Sequence, residues 1–153
     1  MDAQPIVCST CSPKSCQPLP LRILLGIGFL VHGAPKLFSA AEHAGFAGML
    51  QQLGIPAAGF LAWVVGFVEF FGGIALAFGL FARLAGAAIF GDMMIAIITV
   101  TWANGINATG GKSGYELNLA LGVLALMVAF FGAGRVSVDA LLERRVLAMP
   151  RPD

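Results

Sequence analysis

Charge is scarce in this chain. Only 11% of its 153 residues are Asp, Glu, Lys or Arg, and they nearly cancel, to a formal net charge of +1. No basic excess marks it for a nucleic-acid partner. Histidine is rarer still, with only His32 and His43. A bis-histidine haem needs two facing histidines, and His43 falls in a linker, so haem is not expected. Cysteine is confined to "CSTCSPKSC", where Cys8, Cys11 and Cys16 are all the thiols. A closed zinc site takes four ligands, so a fourth would have to come from a partner. The C-x-x-C spacing also suits a redox dithiol. Such a dithiol normally sits at a helix start, and none is predicted there. The default expectation is a polar tail with incidental thiols; metal binding or redox chemistry is the alternative. Also missing is the alternation of apolar and polar residues that a porin-like barrel requires.

The remaining residues are mostly apolar. Hydrophobic residues make up 58% of the chain, and the mean hydropathy is +0.87. A soluble domain of this size cannot hide so much apolar surface in one core. The apolar runs are long, unbroken and rich in Ala, Leu, Gly and Phe, so the membrane helix is the natural element. The expected fold is all-α and integral to the membrane, a four-transmembrane-helix antiparallel bundle with spans at about 21–38, 58–80, 84–103 and 116–134. Each is near the ~20 residues that cross hydrocarbon. Residues 1–20 form the polar tail, 21–135 the membrane domain and 136–153 a juxtamembrane tail with a short helix in "SVDALLERRV".

The first span carries Arg22, His32 and Lys36. A signal peptide has a basic start and an uninterrupted apolar centre; here a polar tail precedes and two polar residues interrupt, so the span is read as a retained helix. Arg22 and Lys36 are 14 residues apart, roughly 21 Å of helix. Their side chains are expected to snorkel to opposite interfaces. With both termini in the cytoplasm, that side holds Lys14, Arg22, Arg83, Arg135, Arg144, Arg145 and Arg151, and the other keeps Lys36 and Lys112. This basic bias sets the orientation. Between spans one and two, "SAAE" fits a capping box from Ser39 to Glu42. Phe46, Met49, Leu50 and Leu53 follow at helical spacing, then Gly54 and Pro56. A short amphipathic helix on the outer surface is predicted, either a lid or a simple connector.

Ionisable groups inside a membrane are functional candidates. His32, Glu69 and Asp92 are the three here. Counted from the span ends, Glu69 and Asp92 lie roughly 16 Å below the outer boundary and His32 about 9 Å. If the two carboxylates face each other, they cannot both ionise and share a proton. Lys36, Glu116, Tyr115, Asn104 and Trp102 fall toward the same side. The reading is an outer-half pocket that exchanges protons, since histidine titrates near neutrality. The competing reading is a set of interhelical hydrogen bonds. Gly66, Gly72, Gly73, Gly79, Gly86, Gly91 and Gly122 are expected to let helices approach closely.

"RILLGIGFLVHGAPKLF", "EFFGGIALAFGLFAR", "GYELN" and "GAGRVSVDALL" together resemble the DoxX family of small four-helix bacterial membrane proteins, over roughly residues 21 to 142. The resemblance implies a multi-pass protein of the bacterial inner membrane. It also implies a setting of thiosulfate:quinone oxidoreduction or of complexes handling thiols and oxidative stress. It makes His32, Lys36, Glu69 and Glu116 better candidates without assigning their roles. The expected function is a redox-associated subunit, possible part of a quinone-linked oxidoreductase. It binds a quinone or small sulfur compound and works in the bilayer with a redox partner protein or further copies of itself. His32 and Glu69 exchange protons, while Lys36, Glu116, Tyr115, Asn104 and Asp92 line the pocket. No tightly bound redox centre is expected; quinone is the candidate cofactor. The alternatives are a scaffold that recruits a soluble redox enzyme and a small-solute or metal transporter.

Overall fold

The computed structural model describes residues 19–107, 114–134 and 136–147. Cys8, Cys11, Cys16 and the centre of the 104–114 loop lie outside them. Among the described residues the regular elements are all helical: α1 Leu19–Phe38, α2 Ala40–Gln52, α3 Ala58–Phe78, α4 Ala82–Ala96, α5 Glu116–Phe131 and α6 Val138–Leu147. α4 continues through a π-helical turn, Ile97–Thr101, and a 3-10 turn, Trp102–Asn104. Three stretches, Leu19–Phe38, Ala58–Phe78 and Ala82–Asn104, are long and apolar enough to cross a membrane. α5 is apolar but shorter, at 16 residues.

α1 packs along α3, α4 packs along α5, and α3 touches α4 to join the two pairs. Missing side chains make the first pairing close. Gly26 on α1 meets Gly73 on α3, Gly33 meets the α3 backbone at Glu69 and Phe70, and Gly66 meets Lys36 and Leu37. A Cβ on Gly33 would lie 2.5 Å from the Phe70 amide nitrogen, and one on Gly73 would lie 2.7 Å from the Gly26 carbonyl oxygen. In the second pair, a Cβ on Gly86 would lie 2.7 Å from the Ala125 carbonyl oxygen. Without aqueous solvent to drive apolar burial, such backbone proximity is what dispersion between membrane helices requires. Gly91 departs from the expectation. Nothing lies within 4 Å of its Cβ position, because α4 turns Gly86, Ile89 and Met93 inward instead. Leu25, Phe29, Leu76, Ile89 and Val128 fill the centre. Large apolar side chains such as Leu24, Phe60, Phe67, Leu84, Ile98 and Phe130 stay exposed. They form a surface suited to lipid.

The end of the molecule that holds the α3–α4 turn corrects the reading of Arg22. Its side chain does not snorkel outward; it is 2% exposed. It donates to the Ala133 carbonyl and, at 2.9 Å, to that of Val136. These carbonyls follow the last turn of α5, and a guanidinium fork can hold both. Asp139 completes the lock. Its carboxylate accepts from the Phe81 and Ala82 amides at 2.8 and 3.1 Å. It thus caps α4 from a distant part of the chain. That cap matters because Phe81 is left-handed, φ 46°, a conformation that costs a side-chain-bearing residue ~1–3 kcal/mol. Gly79, at φ 67°, ends α3 where a Cβ would strike Ser137 and the Arg22 guanidinium. The start of the C-terminal segment is therefore built into the fold. Ser137 caps α6, accepting from the Ala140 amide at 3.1 Å.

Candidate functional site

At the opposite end of α1 the chain turns early. Pro35 sits in the last turn, and its carbonyl accepts the Ser39 amide at 3.0 Å. Ser39 then caps α2 by accepting from the Glu42 amide at 3.4 Å. Half of the predicted capping box forms. The other half does not, because the Ser39 amide is already bound to Pro35. Gly54, at φ 75°, follows the end of α2. Leu50 is buried and Phe46 is half-buried, while Leu53 stays exposed.

Lys36 lies just before that turn, and it is not a boundary residue reaching for water. Its ammonium forms an ion pair with the Glu69 carboxylate in the middle of α3. It also donates to the His32 carbonyl at 3.2 Å and lies 4.9 Å from the centroid of the Phe46 ring. Two hydrogen bonds use two of the three N–H groups of the ammonium, and the Phe46 ring lies within cation–π reach of it. The approach depends on Gly66, one turn before Glu69, whose Cβ would lie 3.2 Å from that of Lys36. Glu69 is 6% exposed. The third member is Asp92 on α4, within electrostatic reach of both Glu69 and Lys36. Its Oδ2 is buried and has no hydrogen-bond partner. Three helices thus contribute one ionisable group each to one layer.

Beside this layer an open cleft of about 400 Å³ runs between α1 and α2. Val31, Pro35, Phe46 and Met49 form its apolar walls, and His32, Lys36 and Glu42 its polar ones. The His32 side chain is exposed and faces this cleft, not the Glu69–Asp92 layer. His43, read from sequence as a linker residue, turns back instead. Its Nδ1 lies 3.0 Å from the Lys36 carbonyl, and its ring lies 4.5 Å from that of Trp63. A carbonyl can only accept, so Nδ1 carries the proton. The available signal was the helix break at Ser39, which leaves carbonyls of the last α1 turn without amide partners.

The remaining predicted residues gather elsewhere. Tyr115 stacks on Trp102, with centroids 5.7 Å apart, and its amide donates to the Gly105 carbonyl at 3.1 Å. Asn104 closes the 3-10 turn beside them. Glu116 opens α5 with an exposed side chain, and no described contact joins it to Lys36 or His32. The Tyr115 and Glu116 amides, donating to the Gly105 and Ile106 carbonyls, and the Trp102–Tyr115 stack tie together the two ends of the 104–114 loop.

The DoxX family profile matches residues 17–102. The chain belongs to the DoxX family. The matched stretch holds His32, Lys36, Glu69 and Asp92, so the charged layer lies wholly within the family domain. Among its relatives, "Uncharacterized membrane protein Rv3486" of Mycobacterium tuberculosis is 32% identical, over 84% of this chain and 82% of that protein. "Inner membrane protein YqjF" of Escherichia coli is 29% identical, over 83% of this chain and 92% of that protein. "Putative oxidoreductase CatD" of Bacillus subtilis is 36% identical over a shorter stretch, 54% of this chain and 58% of that protein. No solved structure matches. This DoxX-family chain is a membrane protein with several apolar helices.

Proposed function

We propose that this DoxX-family protein is a redox-associated subunit of the bacterial inner membrane that binds a quinone or a small sulfur compound in the cleft between α1 and α2. The observation that carries this reading is the meeting of His32 and Lys36 in one apolar-walled cleft beneath Phe46. A quinone head is flat and apolar with two carbonyl acceptors, and the cleft residues fit it: an ammonium, an imidazole and an aromatic face. A quinone held there would supply two-electron chemistry: its reduction to the quinol would take two electrons from a partner protein and two protons, one through His32 and one from the water that reaches the open cleft. Lys36, held by Glu69, presents an N–H at a fixed position. The relative named "Putative oxidoreductase CatD" supports the redox setting.

In this reading α5 is the fourth span of a four-helix bundle. At 16 residues it covers about 24 Å, short for a hydrocarbon core of ~30 Å unless the following residues complete it. α2 rests at the outer interface. Both termini lie in the cytoplasm, in line with seven of nine basic residues on that side and with the contact of Arg22 with residues 133 and 136. The second reading, a scaffold for a soluble enzyme, draws support from exposed Leu141 and Leu142 on α6.

The test is purification from native membranes in mild detergent, with mass spectrometry of proteins and extracted lipids. Quinone that co-purifies with the native protein and is lost in His32→Ala supports the redox pocket. A stable soluble partner without quinone, retained in His32→Ala, favours the scaffold.

A further inference from the structure

The charged layer does not balance. Lys36 contributes one positive charge, and Glu69 and Asp92 contribute two negative ones if both are ionised. An uncompensated charge at this depth is among the most costly arrangements a membrane protein can hold. Among the described residues no other titratable group is placed to correct it; Arg22 is held at the far end of α1 by the Ala133 and Val136 carbonyls. α3 offers only Glu69, and α4 itself holds only Asp92 and, near its start, Arg83. α5 carries no titratable side chain after Glu116. On α1, His32 faces the cleft and lends the layer only its carbonyl. On α2, Glu42 lines the outer cleft and His43 is engaged by the Lys36 carbonyl and Trp63.

We propose that Asp92 is a proton-binding site: it holds the one proton that neutralises the Lys36–Glu69–Asp92 layer, and it is the group that gives that proton up. The distribution of hydrogen bonds assigns the proton. Glu69 accepts directly from the ammonium and is stabilised as the anion. Asp92 receives no hydrogen bond at its buried Oδ2. An ionised carboxylate is acceptor-only and needs donors. A neutral carboxylic acid loses far less by lacking them. The inference goes beyond the quinone reading and does not depend on it.

The test is infrared spectroscopy of the full-length protein reconstituted in lipid at about pH 6, where water-exposed carboxyl groups are already ionised. The native protein is expected to show one protonated-carboxyl C=O band that shifts in heavy water. Asp92→Asn should remove the band. Glu69→Gln should also remove it, because Asp92 then ionises as the sole counter-ion of Lys36. Lys36→Met should raise it about twofold, because both acids then stay neutral. Circular dichroism reports whether each variant folds, and the Lys36→Met gain cannot come from unfolding, which exposes and ionises the acids. The proposal is overturned if the native protein shows no such band, or if the band survives intact in Asp92→Asn. It is also overturned if the band appears only when sodium is replaced by choline, since a bound cation then balances the layer. Loss of quinone binding would leave every one of these outcomes unchanged.

Discussion

Lys36, in the last turn of α1, is ion-paired with Glu69, at the midpoint of α3. The two helices are therefore offset: α3 continues for eleven residues on the α2 side of Glu69, while α1 stops two residues after Lys36. α2 packs against both helices beside that overhang, and His43 and Phe46 cover the lysine. Removing one partner breaks the pair and moves the proton of the layer, on to Glu69 in Lys36→Met and off Asp92 in Glu69→Gln. Either change alone should cost at most about 3–5 kcal/mol, the scale of a buried charge left without a partner. The double variant should cost less than either single change, as read from thermal unfolding in detergent.

The glycine seam predicts opposite signs for one substitution. Gly33→Ala and Gly73→Ala place a methyl against backbone at 2.5 and 2.7 Å, where nothing flexible can yield. Each should destabilise by about 1–3 kcal/mol, the usual cost of overpacking. Gly28→Ala and Gly91→Ala meet open space and should be neutral or stabilising by up to ~1 kcal/mol, from helix propensity. Melting temperatures of the four variants check this.

The Arg22–Asp139 end predicts a loss that lysine does not repair. Arg22→Lys keeps the charge but cannot span the Ala133 and Val136 carbonyls with a planar fork. It should behave nearly as badly as Arg22→Ala. Asp139→Ala exposes the left-handed Phe81 start of α4 and should cost ~1–2 kcal/mol, the scale of a lost helix cap. Adding Phe81→Gly should recover part of that loss by relieving the backbone. Protease sensitivity of the α3–α4 turn is the direct readout.

Much of the fold was legible in the sequence because apolar run length alone fixes membrane helices. The expected spans at 58–80 and 84–103 lie within two residues of Ala58–Phe78 and Ala82–Asn104 at each end. Side-chain destinations were not legible in the same way. Counting depth from span ends assumes that every helix begins and ends at the same plane. That assumption put Lys36 at a boundary, when the early stop at Ser39 and the room left by Gly66 bring it to Glu69. Arg22 was misread because its acceptors lie more than a hundred residues away and are backbone carbonyls, which carry no sequence signature. The juxtaposition of Glu69 and Asp92 was anticipated because both fall near the middle of consecutive helices. Glu116 was grouped with Lys36 on depth and on the family resemblance, and the structure leaves its side chain exposed, with no described contact to Lys36.

The most direct test of the account is a binding titration of a short-chain quinone against the purified native protein, Lys36→Met and the remote Asp139→Ala variant. Quenching of Trp63 and Trp102 fluorescence is the signal. The account predicts saturable binding by the native protein and Asp139→Ala, weakened at least about tenfold in Lys36→Met, the loss of one charge-assisted hydrogen bond. Absence of saturable binding, or equal affinity in all three proteins, would contradict it.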